Sequence, residues 1–213
     1  MNWADIALRL LVRRRDRDTI SGDLLEEYRE HVLPTKGAMG ARLWYMRQVA
    51  SFVSPVTWGL LLGIAFGTFQ LLSTAVEPLA DDTPRAMLGL LGTLLMFWIA
   101  IGVAAGRPTR RFRDAIVAGV LAGVVTMAVI LVTSIVRVNV FLDEIQHRDD
   151  WVNLVARFEA SGLQSLRSYA NWEYVRAIPF GLALGALVGG LCGTVAGVIN
   201  GISRPHHLLR TRH

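Results

Sequence analysis

Apolar positions follow two patterns in this chain, and the change from one to the other falls at Ser54-Pro55. Beyond it come four long apolar stretches, Pro55 to Val76, Met87 to Gly106, Ala115 to Val136, and Ile178 to Ile199 or slightly beyond. None of them contains an Asp, Glu, Lys or Arg. At about 1.5 Å per residue each is long enough to cross a hydrocarbon core of roughly 30 Å, so four transmembrane helices are predicted. Before Ser54 the apolar residues recur at helical spacing among charges, and three short helices are expected. The first, about Trp3 to Arg14, places Trp3, Ile6, Ala7, Leu10 and Leu11 on one face. The second has Ser21 as N-cap, carboxylates Asp23, Glu26 and Glu27 where the helix dipole favours them, a stripe of Leu24, Tyr28 and Val32, and an end at Pro34. The third starts near Ala38 and runs through Leu43, Met46, Ala50 and Val53. Trp44 and Tyr45 sit at headgroup depth in this reading, with Arg42 and Arg47 able to snorkel. Proline at 55 then restarts the chain as a membrane helix.

The connection between the third and fourth spans is too long for a simple turn. Asp149 and Asp150 precede Trp151, Leu154, Val155 and Phe158, spaced as an amphipathic helix that Gly162 would end. Leu163, Leu166, Tyr169 and Ala170 continue a second one, and Trp172 and Tyr174 lead back to the membrane. Two short helices on the outer surface are expected, acting either as a sensing lid or as a cap over the bundle. The fold class is therefore an all-α membrane protein. A helical module occupies residues 1–53, a four-span bundle residues 54–203 with an outer amphipathic loop at 143–177, and a basic tail residues 204–213.

Composition agrees with this division. The chain is 53% hydrophobic and 18% charged, and the charges gather in blocks between the apolar runs. Asp5 and Arg9 interrupt the apolar start, and Arg13, Arg14 and Arg15 follow it, so no cleavable signal peptide is expected. The segments before the first span, between the second and third, and after the fourth hold nine, four and three Lys or Arg, whereas the first two spans are joined through Arg85 alone. In the long connection, five Arg are offset by six carboxylates. The positive-inside rule then places both termini in the cytoplasm. The net charge of +5 follows from the inner segments, so nucleic acid is not needed as a partner; the lipid bilayer is.

The stretch Gly22 to Val49 carries a further signal. Its two blocks, GDLLEEYRE and ARLWYMRQV, separated by a short linker, resemble the permease prefix domain (second type) found in front of bacterial macrolide-exporter-type ABC permeases. More loosely, they resemble helical signalling segments of membrane proteins encoded beside PadR-type repressors. The resemblance covers about a quarter of the chain and does not extend to the membrane part. It implies a regulatory contact module in a bacterial plasma membrane, with Glu26, Glu27, Glu30, Trp44, Tyr45 and Arg47 meeting a cytoplasmic regulator, a transporter subunit or the protein's own bundle. Permeases with this prefix have a large extracytoplasmic domain after the first span. Here a short loop joins the first span to the second, so the export machinery is missing.

Within the spans, Gly181, Gly185, Gly189, Gly193, Gly197 and Gly201 recur every four residues, with Gly190 beside them. Four residues turn a helix by about 400°, so this ladder forms one slowly drifting groove that admits another backbone. Shorter copies are Gly59, Gly63, Gly67 and Ala115, Gly119, Gly123. Such small-residue faces serve helix packing in lipid, where water exclusion contributes nothing. Packing within the bundle, a homo-oligomeric seam and a gated pore are the three uses open to it.

Other chemistry finds little support. Glu26, Glu27 and Glu30 read as a solvated helix face, since no HxxxH or ExxH pattern lies beside them to make a metal site. Cys192 stands alone, and His206, His207 and His213 are interleaved with arginines in a tail suited to anionic lipid. Neither a GxxxxGK[ST] nor a GxSxG motif occurs. No catalytic residue, cofactor or metal is expected. The spans carry no ionisable residue at membrane depth; Arg137, near the outer end of the third, is expected to snorkel outward, or else to pair with Asp143 or Glu144. Two functions follow: a non-enzymatic accessory or sensory membrane protein, or a subunit of an ABC-type export system.

Overall fold

The computed structural model describes residues 26–80, 83–109 and 111–202. The expected helix at Trp3 to Arg14, the Ser21 cap and the basic tail lie outside the described residues. Every regular element among the described residues is helical. They are α1 (Leu33–Phe52), α2 (Pro55–Val76), α3 (Pro84–Thr109), α4 (Phe112–Ile145), α5 (Val152–Ser161) and α6 (Leu166–Ile202), with a π-helical segment at Tyr28–Val32 and a 3-10 turn at Asp149–Trp151. The four long helices α2, α3, α4 and α6 are apolar enough to cross a bilayer. The chain is a multi-pass integral membrane protein.

Before the first span, Pro34 does not end a helix as the sequence suggests. The helix passes through it because the preceding turn widens: Leu33 N–H donates to Tyr28 O, a five-residue step. That widening relieves the pressure of the proline ring on the carbonyl four residues back. The true break is Gly37, at φ 67 and ψ 173, a conformation that a side chain would strain. Across this break the two arms pack through an edge-on contact of Tyr28 with Tyr45, ring centroids 5.6 Å apart. Val32, Ala41 and Tyr45 are buried. Helix α1 stops at Val53, which is extended, and Ser54 caps α2, its hydroxyl accepting from Thr57 N–H at 3.1 Å with Pro55 in the first turn.

Helix α4 is the axis of the bundle. It packs along α2, α3 and α6, whereas α2 and α3 scarcely touch. Both α4, at 34 residues, and α6, at 37, are longer than their apolar runs. At about 1.5 Å per residue they measure roughly 50 and 55 Å, so about 20 Å of each projects beyond a 30 Å hydrocarbon core. The projecting ends carry the cap. Trp151 and Leu154 pack into a cluster of Val138, Leu142, Ile145 and Ala170 with Phe141, Leu166 and Tyr174 around it. Gly162 ends α5 in the left-handed conformation, φ 69, as its position predicts. The expected second surface helix is instead the first part of α6. The apolar residues Leu166 and Ala170 continue the stripe that packs on α4, so nothing stops the helix before the membrane, and Pro179 lies inside it.

Candidate functional site

Three regions hold the residues that the sequence singles out or that carry unusual burial. At the end of the bundle bearing α1, Glu26, Glu27 and Glu30 are all exposed on the arm before Gly37. They form a solvated acidic edge, held in place by the tyrosine contact beneath it. Trp44 is half-buried. Tyr45 is buried, with only 7% of its surface exposed, and so leaves little surface of its own at the outside of the hairpin. Its hydrophobic ring gains more from Tyr28 inside the hairpin than from an exposed position on α1. The Arg47 side chain lies outside the described residues. Helix α1 also packs against α3, which connects the module directly to a span.

In the bundle, the small residues meet one another. A side-chain carbon added at Gly119 would strike the carbonyl oxygen of Gly189, and one at Gly189 that of Gly119. One added at Gly185 would lie 2.7 Å from Gly123 O, and one at Gly193 2.7 Å from the Ile116 Cα. As α4 steps forward by four residues, α6 steps back by four, and the antiparallel backbones touch along the whole seam. Gly181 faces Leu131, and Gly197 faces the Phe112 ring. The shorter glycine run on α2 lies along a different side of α4: Gly59 faces Ala122, Gly63 faces Val129, and Gly67 faces Thr133. Gly102 and Gly106 of α3, which sequence pattern did not select, face Ala196 and Asn200 of α6. The ladder glycines from 181 to 197 are thus occupied by packing within one chain, whereas Gly201 has no neighbour within 4 Å of such a carbon.

Between these seams lies a buried polar node. Trp98 of α3, 2% exposed, donates its indole N–H to Thr126 Oγ1 of α4 at 3.3 Å. That hydroxyl stands 2.7 Å from Ala122 O and 3.1 Å from Gly59 O of α2, and its one proton goes to one of them. Three helices share one hydroxyl. Further along α4, the Ser134 hydroxyl donates to Ile130 O at 2.9 Å and stands 3.5 Å from Gln70 Oε1, and at the α1 end Asn200 donates to Val103 O at 3.2 Å. These polar side chains of the spans bond between helices or to their own backbone.

At the cap end, two arginines are buried. Arg137 is 4% exposed and does not snorkel outward as expected. The reason is the projection of α4: protein continues around this position in the cap, and Arg137 is enclosed by it. Asp143 and Glu144, its other expected contacts, are exposed. Arg148, 3% exposed, donates from Nε to Pro78 O at 2.6 Å and so ties the α2–α3 loop to the start of the cap. Asn139 and Asn171 exchange amide hydrogen bonds at 2.9 and 3.1 Å between α4 and α6. Neither Arg148 nor the asparagine pair stands out in the sequence, because each works across more than 30 residues without a motif.

Helix α3 departs from the rest. From Thr83 to Thr93 every residue is exposed, and a shallow groove at Gly89 and Gly92 is lined by Leu88, Met96, Phe97 and Ala100 of the same helix. No group of three or more His, Cys, Asp or Glu with metal-site geometry occurs among the described residues. Comparisons with protein-family models, with curated proteins and with solved structures returned no match to this chain.

Proposed function

We propose that this protein is a non-enzymatic accessory or sensory component of a bacterial plasma membrane, with both termini cytoplasmic. In this reading the permease-prefix-like module is its contact site. The observation that supports it best is the division of labour in the module. Glu26, Glu27 and Glu30 stay exposed ahead of α1, while α1 packs on the span α3. A partner recognised through the acidic edge is thereby one contact away from the membrane bundle. Charge of this kind contributes mainly to partner choice and encounter rate.

The test replaces Glu26, Glu27 and Glu30 together by Gln, which removes charge and keeps helix propensity. The expected result is normal membrane insertion with reduced recovery of a cytoplasmic partner in a crosslinking pull-down at matched expression. Equal recovery of every partner would make the module a structural foot of the bundle and end the regulatory reading. The alternative, a subunit of an ABC-type export system, has one observation in its favour: the uncovered half of α3 between Thr83 and Thr93. Copurification of an ABC ATPase would decide for it.

A further inference from the structure

Helix α1 has an apolar, cationic surface that the hairpin leaves outside. Met39 is 74% exposed and Leu43 62%, one helical turn apart, and Lys36 and Arg42 beside them are exposed too. No carboxylate interrupts this surface: the sequence contains none between Glu30 and Glu77. Tyr28, Val32, Ala41 and Tyr45 occupy the inner face, so Met39 and Leu43 are not the hairpin's own core. Only Val53 and Ser54 separate α1 from the first membrane helix, which keeps α1 close to the bilayer end of the bundle. At the same end of the bundle, Arg111, Phe112 and Arg113 at the start of α4 are exposed, with Asp114 the one carboxylate in that turn.

We propose that the exposed face of α1 is a binding surface for anionic phospholipid in the leaflet at this end of the bundle. Met39 and Leu43 enter the headgroup boundary, and Lys36 and Arg42 pair with phosphate. The chemistry is that of an interfacial helix, apolar contact combined with attraction of basic residues to a negative surface. Charge complementarity favours this occupant: a bilayer accepts the two apolar side chains whatever its headgroups, and only a net negative one adds an attractive surface potential for Lys36 and Arg42. This lipid contact stands independently of the proposed partner, because the two use different residues, Lys36, Met39, Arg42 and Leu43 against Glu26, Glu27 and Glu30.

The experiment uses the full chain, with Cys192→Ala, reconstituted into vesicles of phosphatidylcholine alone or mixed with phosphatidylglycerol. A fluorophore is attached through Met39→Cys or, in a second reporter, Leu43→Cys, with Glu27→Cys as the opposite-arm control. Quenching is read from a nitroxide on the lipid and from iodide in the buffer. The expected result is lipid quenching at residues 39 and 43 that rises several-fold with phosphatidylglycerol and falls with added salt, while the probe at 27 responds to iodide. Reversing Lys36→Glu and Arg42→Glu should remove the phosphatidylglycerol effect. A monodisperse gel-filtration profile for that variant shows that the bundle is intact, and the milder pair Lys36→Gln and Arg42→Gln should give an intermediate response. Iodide quenching at 39 and 43 in both vesicle types would overturn the proposal. So would lipid quenching that ignores headgroup charge or survives the double reversal.

Discussion

Thr126 shows how much a single residue can carry at membrane depth. Its hydroxyl accepts from Trp98 and reaches carbonyls on α2 and α4, so the loss of one oxygen affects three helices. Hydrogen bonds between membrane helices average about 0.6 kcal/mol and reach about 1.7, because the unfolded chain in lipid also finds partners. Thr126→Val keeps the shape and removes the bond, leaving the Trp98 indole N–H buried without an acceptor. The expected cost is about 1 kcal/mol in a detergent unfolding titration, and Trp98→Phe in the same background should add little of the polar term. Full additivity of the two would show that the contact contributes nothing. Tyr45 teaches the complementary lesson. An aromatic residue beside a membrane helix suggests the headgroup region, yet this one is taken inward by Tyr28, a residue on the other side of the Gly37 break.

At the scale of the element, the glycine seam between α4 and α6 is governed by backbone contact. Leucine at Gly123 or Gly189 would drive a branched side chain into the facing backbone. Overpacking a well-packed core costs about 1–3 kcal/mol, and more where the obstacle is backbone that no rotamer change can clear. Gly189→Leu and Gly123→Leu should therefore lower thermal stability in detergent and broaden the gel-filtration peak. Gly92→Leu, at a position with no neighbour within 4 Å, should leave the isolated chain unchanged. Equal behaviour of all three would show that the seam is incidental to folding. Helix lengths carry a second element-scale point. The apolar runs locate the four spans well, but α4 and α6 continue through polar residues because the cap cluster of Val138, Leu142, Ile145 and Ala170 rewards their extension. The interruption at Phe141, φ −119 and ψ 20, falls where α4 passes into that cap.

Across the whole molecule, the described structure has one end built from the α1 hairpin and another from the α5 cap, with α4 running from one to the other. In the proposed orientation, drawn from the loop charges, the first end is the cytoplasmic one. Cysteines placed at Thr83 and Gln164, both exposed at the cap end, should react with an impermeant thiol reagent in intact cells, and one at Arg113 should react only after permeabilisation. Labelling at Arg113 alone would invert the orientation, and with it the sidedness of both proposals. The uncharged runs at Pro55 to Val76 and Ala115 to Val136 specify membrane helices by themselves, because hydrocarbon admits a backbone only when its hydrogen bonds close locally. Positive φ at Gly162, and the Ser54-Pro55 start of α2, are equally local and equally legible. Tertiary structure alone decided that Ala115, Gly119 and Gly123 meet Gly193, Gly189 and Gly185 within one chain. It alone decided that Arg137 lies inside protein, and that Tyr45 turns inward while Met39 and Leu43 stay outside. A repeat of small residues states that some backbone can approach; which backbone does so depends on where every other helix has already been placed.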